Sequence, residues 1–132
     1  MEKRYDVIGV ENLIMDLALR IDVLPETDGI VSLKDFLWQS GGNASSAIAA
    51  LSRLGAKCAM VGQIGNDEFG RFCLNDMKYH GVDVSHVYER EGMTALCVCL
   101  AEEATQGRSF LGRKGDNPPM SPQEVDEAFI AS

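Results

Sequence analysis

At 132 residues, 45% hydrophobic and 24% charged, the chain is long enough for one modest domain with its own core and too apolar to be disordered. A net charge of −8 argues against nucleic-acid binding, which needs cations to displace phosphate counterions, and no apolar run approaches bilayer-spanning length. The start, Met1 to Asp6, carries no apolar signal core, so a cytoplasmic location is expected, with Cys58, Cys73, Cys97 and Cys99 as reduced and mostly buried thiols.

Tyr5 to Val10 turns apolar toward its end and reads as a first core strand. Leu17, Leu19, Ile21 and Val23 then alternate with Ala18, Arg20 and Asp22, the pattern of a half-exposed antiparallel strand. Pro25 to Gly29 is a turn by composition, and Ile30 to Trp38 is expected to return as the partner strand. Gly41-Gly42-Asn43 breaks the chain. Ala47, Ile48, Ala50, Leu51 and Leu54 follow at helical spacing, with Gly55 as the stop. Lys57 to Val61 suits a short buried strand, and Gly62 to Gly70 a glycine-spaced loop. Phe69, Phe72, Cys73 and Met77 mark a second helix ending at Gly81. Val82 to Val84 leads into a short strand. Thr94 to Ala101 and Ser109 to Arg113 form a strand pair joined through Thr105-Gln106-Gly107. A last short helix is capped by Ser121, with Pro122 at its first position and Glu124 completing a capping box.

This order implies an α/β architecture: a partial parallel sheet of about three strands flanked by helices, with right-handed crossovers, and the two hairpins forming a small sheet of their own. Three parallel strands are fewer than a typical sheet holds, so the pattern reads as an incomplete domain.

The stretch Gly41 to Gly70 carries the most chemistry. A glycine pair lets the backbone approach a ligand closely, and a helix N-terminus offers N–H groups to hydroxyls or anions, although a glycine pair alone is common in turns. Arg53-Leu54-Gly55 ends the helix, and Val61-Gly62-Gln63-Ile64-Gly65-Asn66-Asp67-Glu68-Phe69-Gly70 follows the next strand. Together with Gly81-Val82-Asp83-Val84, Thr94, Arg108 and Gly115-Asp116-Asn117, these resemble in order the N-terminal pattern of the ribokinase-like (PfkB) carbohydrate and nucleoside kinases. The resemblance covers nearly the whole chain. It implies the N-terminal part of a ribokinase-like fold with a small β lid, roughly residues 13–38 and 93–114, over a sugar or nucleoside. It also implies a possible homodimer through that lid. For the full-length enzyme it implies ATP and Mg²⁺.

In substrate binding, the resemblance gives roles to Asp16, Gly41, Gly42 and, more weakly, Asn12. A carboxylate such as Asp16 can accept from two hydroxyls of a vicinal diol. Asn43 and Ser46 are further substrate-binding candidates: the family usually has an asparagine where Ser46 stands here, so either Asn43, directly after the glycines, contributes instead or the substrate differs from a simple ribose or fructose, while the plain alternative for Asn43, Ser45 and Ser46 is capping of the helix. Asp67 is expected to cap the second helix rather than act as a base. Cys97 and Cys99 share a strand face, without the further ligands a zinc site needs, and are expected to pack. Arg108, Arg113 and Lys114 make a small basic cluster, most simply a solvated strand face. The family's catalytic Gly-x-Gly-Asp is not found, and Gly112-Arg113-Lys114-Gly115-Asp116 comes too early and is wrongly spaced. The chain is therefore expected to hold no catalytic, nucleotide-binding or metal-binding residue and to be inactive alone. The alternative is a non-catalytic module that binds a small polyol or dimerises through its lid strands.

Overall fold

The computed structural model describes residues 3–132, which divide into two sheets. The first contains β1 (Val7–Val10), β4 (Cys58–Gly65) and β5 (Asp83–Arg90), parallel throughout in the order β1-β4-β5. Two helices, α1 (Asn43–Arg53) and α2 (Glu68–Tyr79), lead into β4 and β5 and pack on one face. Their core joins Ile48, Cys73 and Met77 to Cys58, Met60 and Ile64 of β4. Ala59 and Val61, pointing the other way, meet Phe129 of the short helix α3 (Glu127–Ile130). Apolar cover on both faces explains why β4 is buried along its whole length.

The second sheet has the order β3-β2-β6-β7, with β2 (Ile14–Ile21), β3 (Asp35–Gly41), β6 (Ala95–Glu102) and β7 (Gly107–Arg113). β2–β3 and β6–β7 are the two expected hairpins, but they are joined by a parallel pairing of β2 with β6. The sheet is therefore mixed, and β2 is an interior strand rather than one arm of an antiparallel ribbon. Its base enters the main core through Met15, and Leu96 packs against it. Its far end is exposed at Phe36, Leu37, Phe110 and Leu111.

Several boundaries differ from the sequence expectation. β1 begins at Val7, and the return strand begins at Asp35 rather than Ile30, which is 96% exposed. Pairing resumes only where Lys34 donates its N–H to Arg20 O at 2.8 Å and its ammonium reaches Asp22 and Glu103. β3 then continues to Gly41, so the chain passes from strand to helix across Gly42 alone. Gly62 to Gly65 is strand, not loop, because β5 is eight residues long and pairs with it from Val87 to Arg90. The C-terminal helix is two pieces. Ser121 and Glu124 form the expected capping box on a single 3-10 turn, and Asp126 caps the separate α3 by accepting from Phe129 N at 3.0 Å.

Candidate functional site

Beyond β1 the chain stays alongside β4, with Glu11 N donating to Val61 O at 3.0 Å and Leu13 N to Gln63 O at 3.2 Å. This course carries the Glu11 carboxylate to the start of α1. There Oε1 accepts from Asn43 N at 3.1 Å, and Oε2 from Ser45 N at 3.0 Å and from the Ser45 hydroxyl at 3.2 Å. Gly42, the N-cap, has no side chain to offer, so a carboxylate from the segment between β1 and β2 closes the helix end. Gly42 has φ +106°, and a Cβ there would also collide with the Glu11 carboxylate.

Asp16 lies next door. In register it pairs with Gln39 of β3 and Cys97 of β6, and Cys97 in turn with Gly112 of β7. A Cβ on Gly41 would overlap the Asp16 carboxylate, so each glycine of the pair is the seat of one acid. Burial pushes the Asp16 carboxyl above its ordinary range. The Gln39 side chain pulls it back, and the Glu11 charge adds to the rise. Cys97 is pushed up by its own burial and by the neighbouring Asp16.

Two knots hold this step between strand and helix. Asp76 of α2 accepts from Ser40 N at 2.7 Å, directly before Gly41, and His80 Nε2 stands 3.6 Å from its other oxygen. Asp67 caps α2 as expected, accepting from Gly70 N at 2.9 Å, and also takes the Thr94 hydroxyl at 2.7 Å and Thr94 N at 3.0 Å. The Thr94 hydroxyl accepts from Gly65 N at 2.9 Å, so one carboxylate ties α2, the end of β4 and the start of β6. Burial alone would raise the Asp67 carboxyl, but these hydrogen bonds outweigh it and hold it below its ordinary range.

An open hollow of about 320 Å³ lies at the C-terminal end of β1, lined by Val10, Glu11, Asn12, Pro119 and Met120. Ligands of open α/β sheets gather at this end of the strands. Asn12 lies between this hollow and a narrow cleft of about 40 Å³ that also touches Gln63, Thr94 and Asn117, and its amide donates to Pro118 O at 3.4 Å.

Of the residues singled out in the sequence, the structure brings together Asp16, Gly41, Gly42 and Asn43. Asn12 faces the neighbouring hollow. Ser46 is exposed on the first turn of α1, its N–H donating to Gly42 O at 3.1 Å. Neither Asn43 nor Ser46 caps α1 through its side chain; Ser45 is the buried one, bonded to Glu11. Arg113 of the basic cluster is engaged at home, 2.9 Å from Asp116 and 3.0 Å from Lys114 O. Sequence reasoning missed the bond of Glu11 to α1, which its backbone course along β4 brings about, and read Cys97 as a packing residue without its register pairing with Asp16; neither follows from spacing along the chain.

The model of the "pfkB family carbohydrate kinase" matches residues 7–132. An ATP-dependent ribose-1-phosphate kinase of Halopiger xanaduensis is 33% identical over 125 residues, covering 94% of this chain and 42% of the relative. Mouse ketohexokinase is 29% identical over 130 residues, covering 98% and 43%. The fold is that of the Arabidopsis thaliana ribokinase solved with ribose and ATP (TM-score 0.72, 20% identity, 87% and 38% covered) and of the Sinorhizobium meliloti adenosine kinase (TM-score 0.76, 20% identity, 98% and 45% covered). The chain thus spans roughly two fifths of the length of the relatives it matches. With its parallel layer, its mixed outer sheet and its acid-seating glycine pair, the chain belongs to the pfkB family of carbohydrate kinases and has the ribokinase fold.

Proposed function

We propose that this chain is the substrate-binding part of an ATP-dependent kinase that phosphorylates a hydroxyl of a sugar or nucleoside in the cytoplasm. The observation that carries this reading is the half-buried Asp16 carboxylate, set over Gly41 at the junction of the two sheets. There Asp16 accepts from a pair of vicinal hydroxyls, with the free side-chain amide of Asn43 and the hydroxyl of Ser46 at the start of α1 as further polar contacts. Asn12 extends the contact surface along the hollow at the end of β1. The second sheet is the lid. Its Asp16 face continues through Leu37, Cys99 and Phe110, an apolar surface suited to excluding water that would otherwise take the phosphoryl group.

In the reaction, the substrate hydroxyl oxygen attacks the γ-phosphorus of ATP, ADP leaves, and the hydroxyl proton passes to a base outside this chain. Mg²⁺ would supply charge neutralisation on the phosphates when bound. On this reading the chain makes no nucleotide contact, which is supported by the N-termini of α1 and α2 being occupied by Glu11 and Asp67. No step is therefore assigned to this chain beyond binding and orienting the acceptor.

Calorimetric titration with ribose, fructose and adenosine tests the reading. At least one should bind, and Asp16→Asn should weaken it roughly tenfold to a hundredfold, as expected for losing hydrogen bonds to a charged acceptor. Equal affinity in the variant would refute the assignment. Sugar-dependent ADP release by residues 1–132 alone would refute the placement of catalysis elsewhere.

A second reading has its own observation. The far end of the lid's opposite face, beyond the part where Met15 and Trp38 meet the core and α2, is apolar and exposed, with Phe36 at 59% and Leu111 at 63%, which supports pairing of two copies through the lid.

A further inference from the structure

The start of α1 is a helix N-terminus beside the glycine pair and Asp16. Its N–H groups and positive dipole end favour phosphate or carboxylate. Here that corner is occupied from within. Of the first-turn donors Asn43, Ala44 and Ser45, Glu11 takes the outer two and the Ser45 hydroxyl as well. The arrangement is built in: Gly42 lacks the Cβ that would displace Glu11, and Glu11 is held along β4 through its own backbone. Asp16 stands on the adjacent glycine, and the Glu11 charge is felt there. Among the described residues, neither acid forms an ion pair with a lysine or arginine; Arg113 of β7 pairs in register with Leu96, on the face away from Asp16, and is committed to Asp116. Glu11 also lines the hollow at the end of β1. A ligand entering this corner therefore meets a helix end whose donors Glu11 already occupies and, beside it, the Asp16 carboxylate, which has no cationic partner among the described residues.

Resting on the sugar-site reading above, we propose that the site selects uncharged polyols, and that Glu11 is the specificity-determining residue that turns away sugar phosphates and sugar acids. Hydroxyl groups can donate to Asp16 and to the outer face of Glu11. A phosphate or carboxylate cannot donate, and it would be repelled by both. The kinases similar to this chain include both kinds: ketohexokinase and the fructokinases, named for neutral sugars, and the ribose-1-phosphate kinase and 2-dehydro-3-deoxygluconokinase, named for charged ones. On this proposal the filled helix end sets this chain with the former.

The test compares matched pairs, ribose with ribose 1-phosphate and fructose with fructose 6-phosphate, by calorimetry on the purified protein. The preferred neutral sugar should bind at least tenfold more tightly than its phosphate. Glu11→Gln keeps an acceptor oxygen for the helix but removes the charge, so it should shrink that ratio by about tenfold while leaving the melting temperature within a few degrees. A purely structural Glu11 would weaken both members of a pair alike and leave the ratio fixed, which overturns the inference. If Glu11→Gln does not fold, the wild-type ratio still decides, since like-charge repulsion must weaken as salt is raised. Phosphates that bind the wild type as tightly as their parent sugars overturn the inference while leaving the sugar-site reading standing. No binding by any of the four removes both.

Discussion

Gly41 and Gly42 do different jobs, and alanine at each should fail differently. At Gly42 the backbone is left-handed, so alanine incurs strain of about 1–2 kcal/mol and also displaces Glu11 from α1. Gly42→Ala should melt several degrees lower in a thermal scan. At Gly41 the added methyl meets only the end of the Asp16 side chain, which can swing away. Gly41→Ala should keep its melting temperature and lose sugar affinity, a split that paired melting and titration experiments would read. Asp16 itself should show the opposite pattern to an ordinary core residue. Its carboxyl is raised by burial, so the folded state holds that proton more tightly than the unfolded chain does. Its contribution to stability then falls as pH rises through the window above the ordinary carboxylate range. Asp16→Asn should lack this decline, and at neutral pH it should be at least as resistant to denaturant as the wild type despite losing ligand. The glycine pair and Asp16 were legible in the sequence because their motif lies along the chain. Glu11 was not: its target helix begins 32 residues later, and nothing in Glu11-Asn12-Leu13 marks which way the carboxylate turns.

At the scale of elements, the knot around Asp67 and Thr94 fixes the second sheet to the core. Asp67 has a lowered carboxyl pKa, so its stabilisation is full above the ordinary carboxylate range and is lost as pH falls through the depressed value. Asp67→Ala removes a helix cap and the partner of the buried Thr94 together. It should cost about 2–3 kcal/mol at neutral pH by denaturant unfolding, with the difference from wild type narrowing in acid. The cap was readable from Asp67 ahead of a helical pattern. The bond to Thr94, 27 residues away, was not. Strand identities were legible by the same logic and strand lengths were not. Gly62-Gln63-Ile64-Gly65 has the composition of a turn and becomes strand only because β5 runs beside it. Ile30 to Lys34 has the composition of a strand and stays outside one because it lies beyond the ladder that begins at Asp35.

At the scale of the whole molecule, the outer sheet has two apolar faces and one neighbour. On the proposed function the Asp16 face looks onto the substrate. Phe36 and Leu111 on the other face are more than half exposed among the described residues. Concentration-dependent self-association is expected in sedimentation, and Leu111→Lys should weaken it while leaving sugar titration intact, since Leu111 lies on the face away from Asp16. Loss of both would place Leu111 in the sugar site and not between subunits. The two-sheet division was visible in the sequence as hairpins set apart from helix-linked strands. The join between them was not, because parallel pairing of β2 with β6 leaves no local trace. That join also sets an order of events during synthesis. β6 leaves the ribosome roughly 80 residues after β2. At about 5–20 residues per second, the β2–β3 hairpin waits several seconds with one edge unpaired. Throughout that interval the newborn chain presents an open apolar strand to every other chain nearby. Slow decoding between β3 and β6 would lengthen the exposure, whereas a pause after β7 would do it no harm.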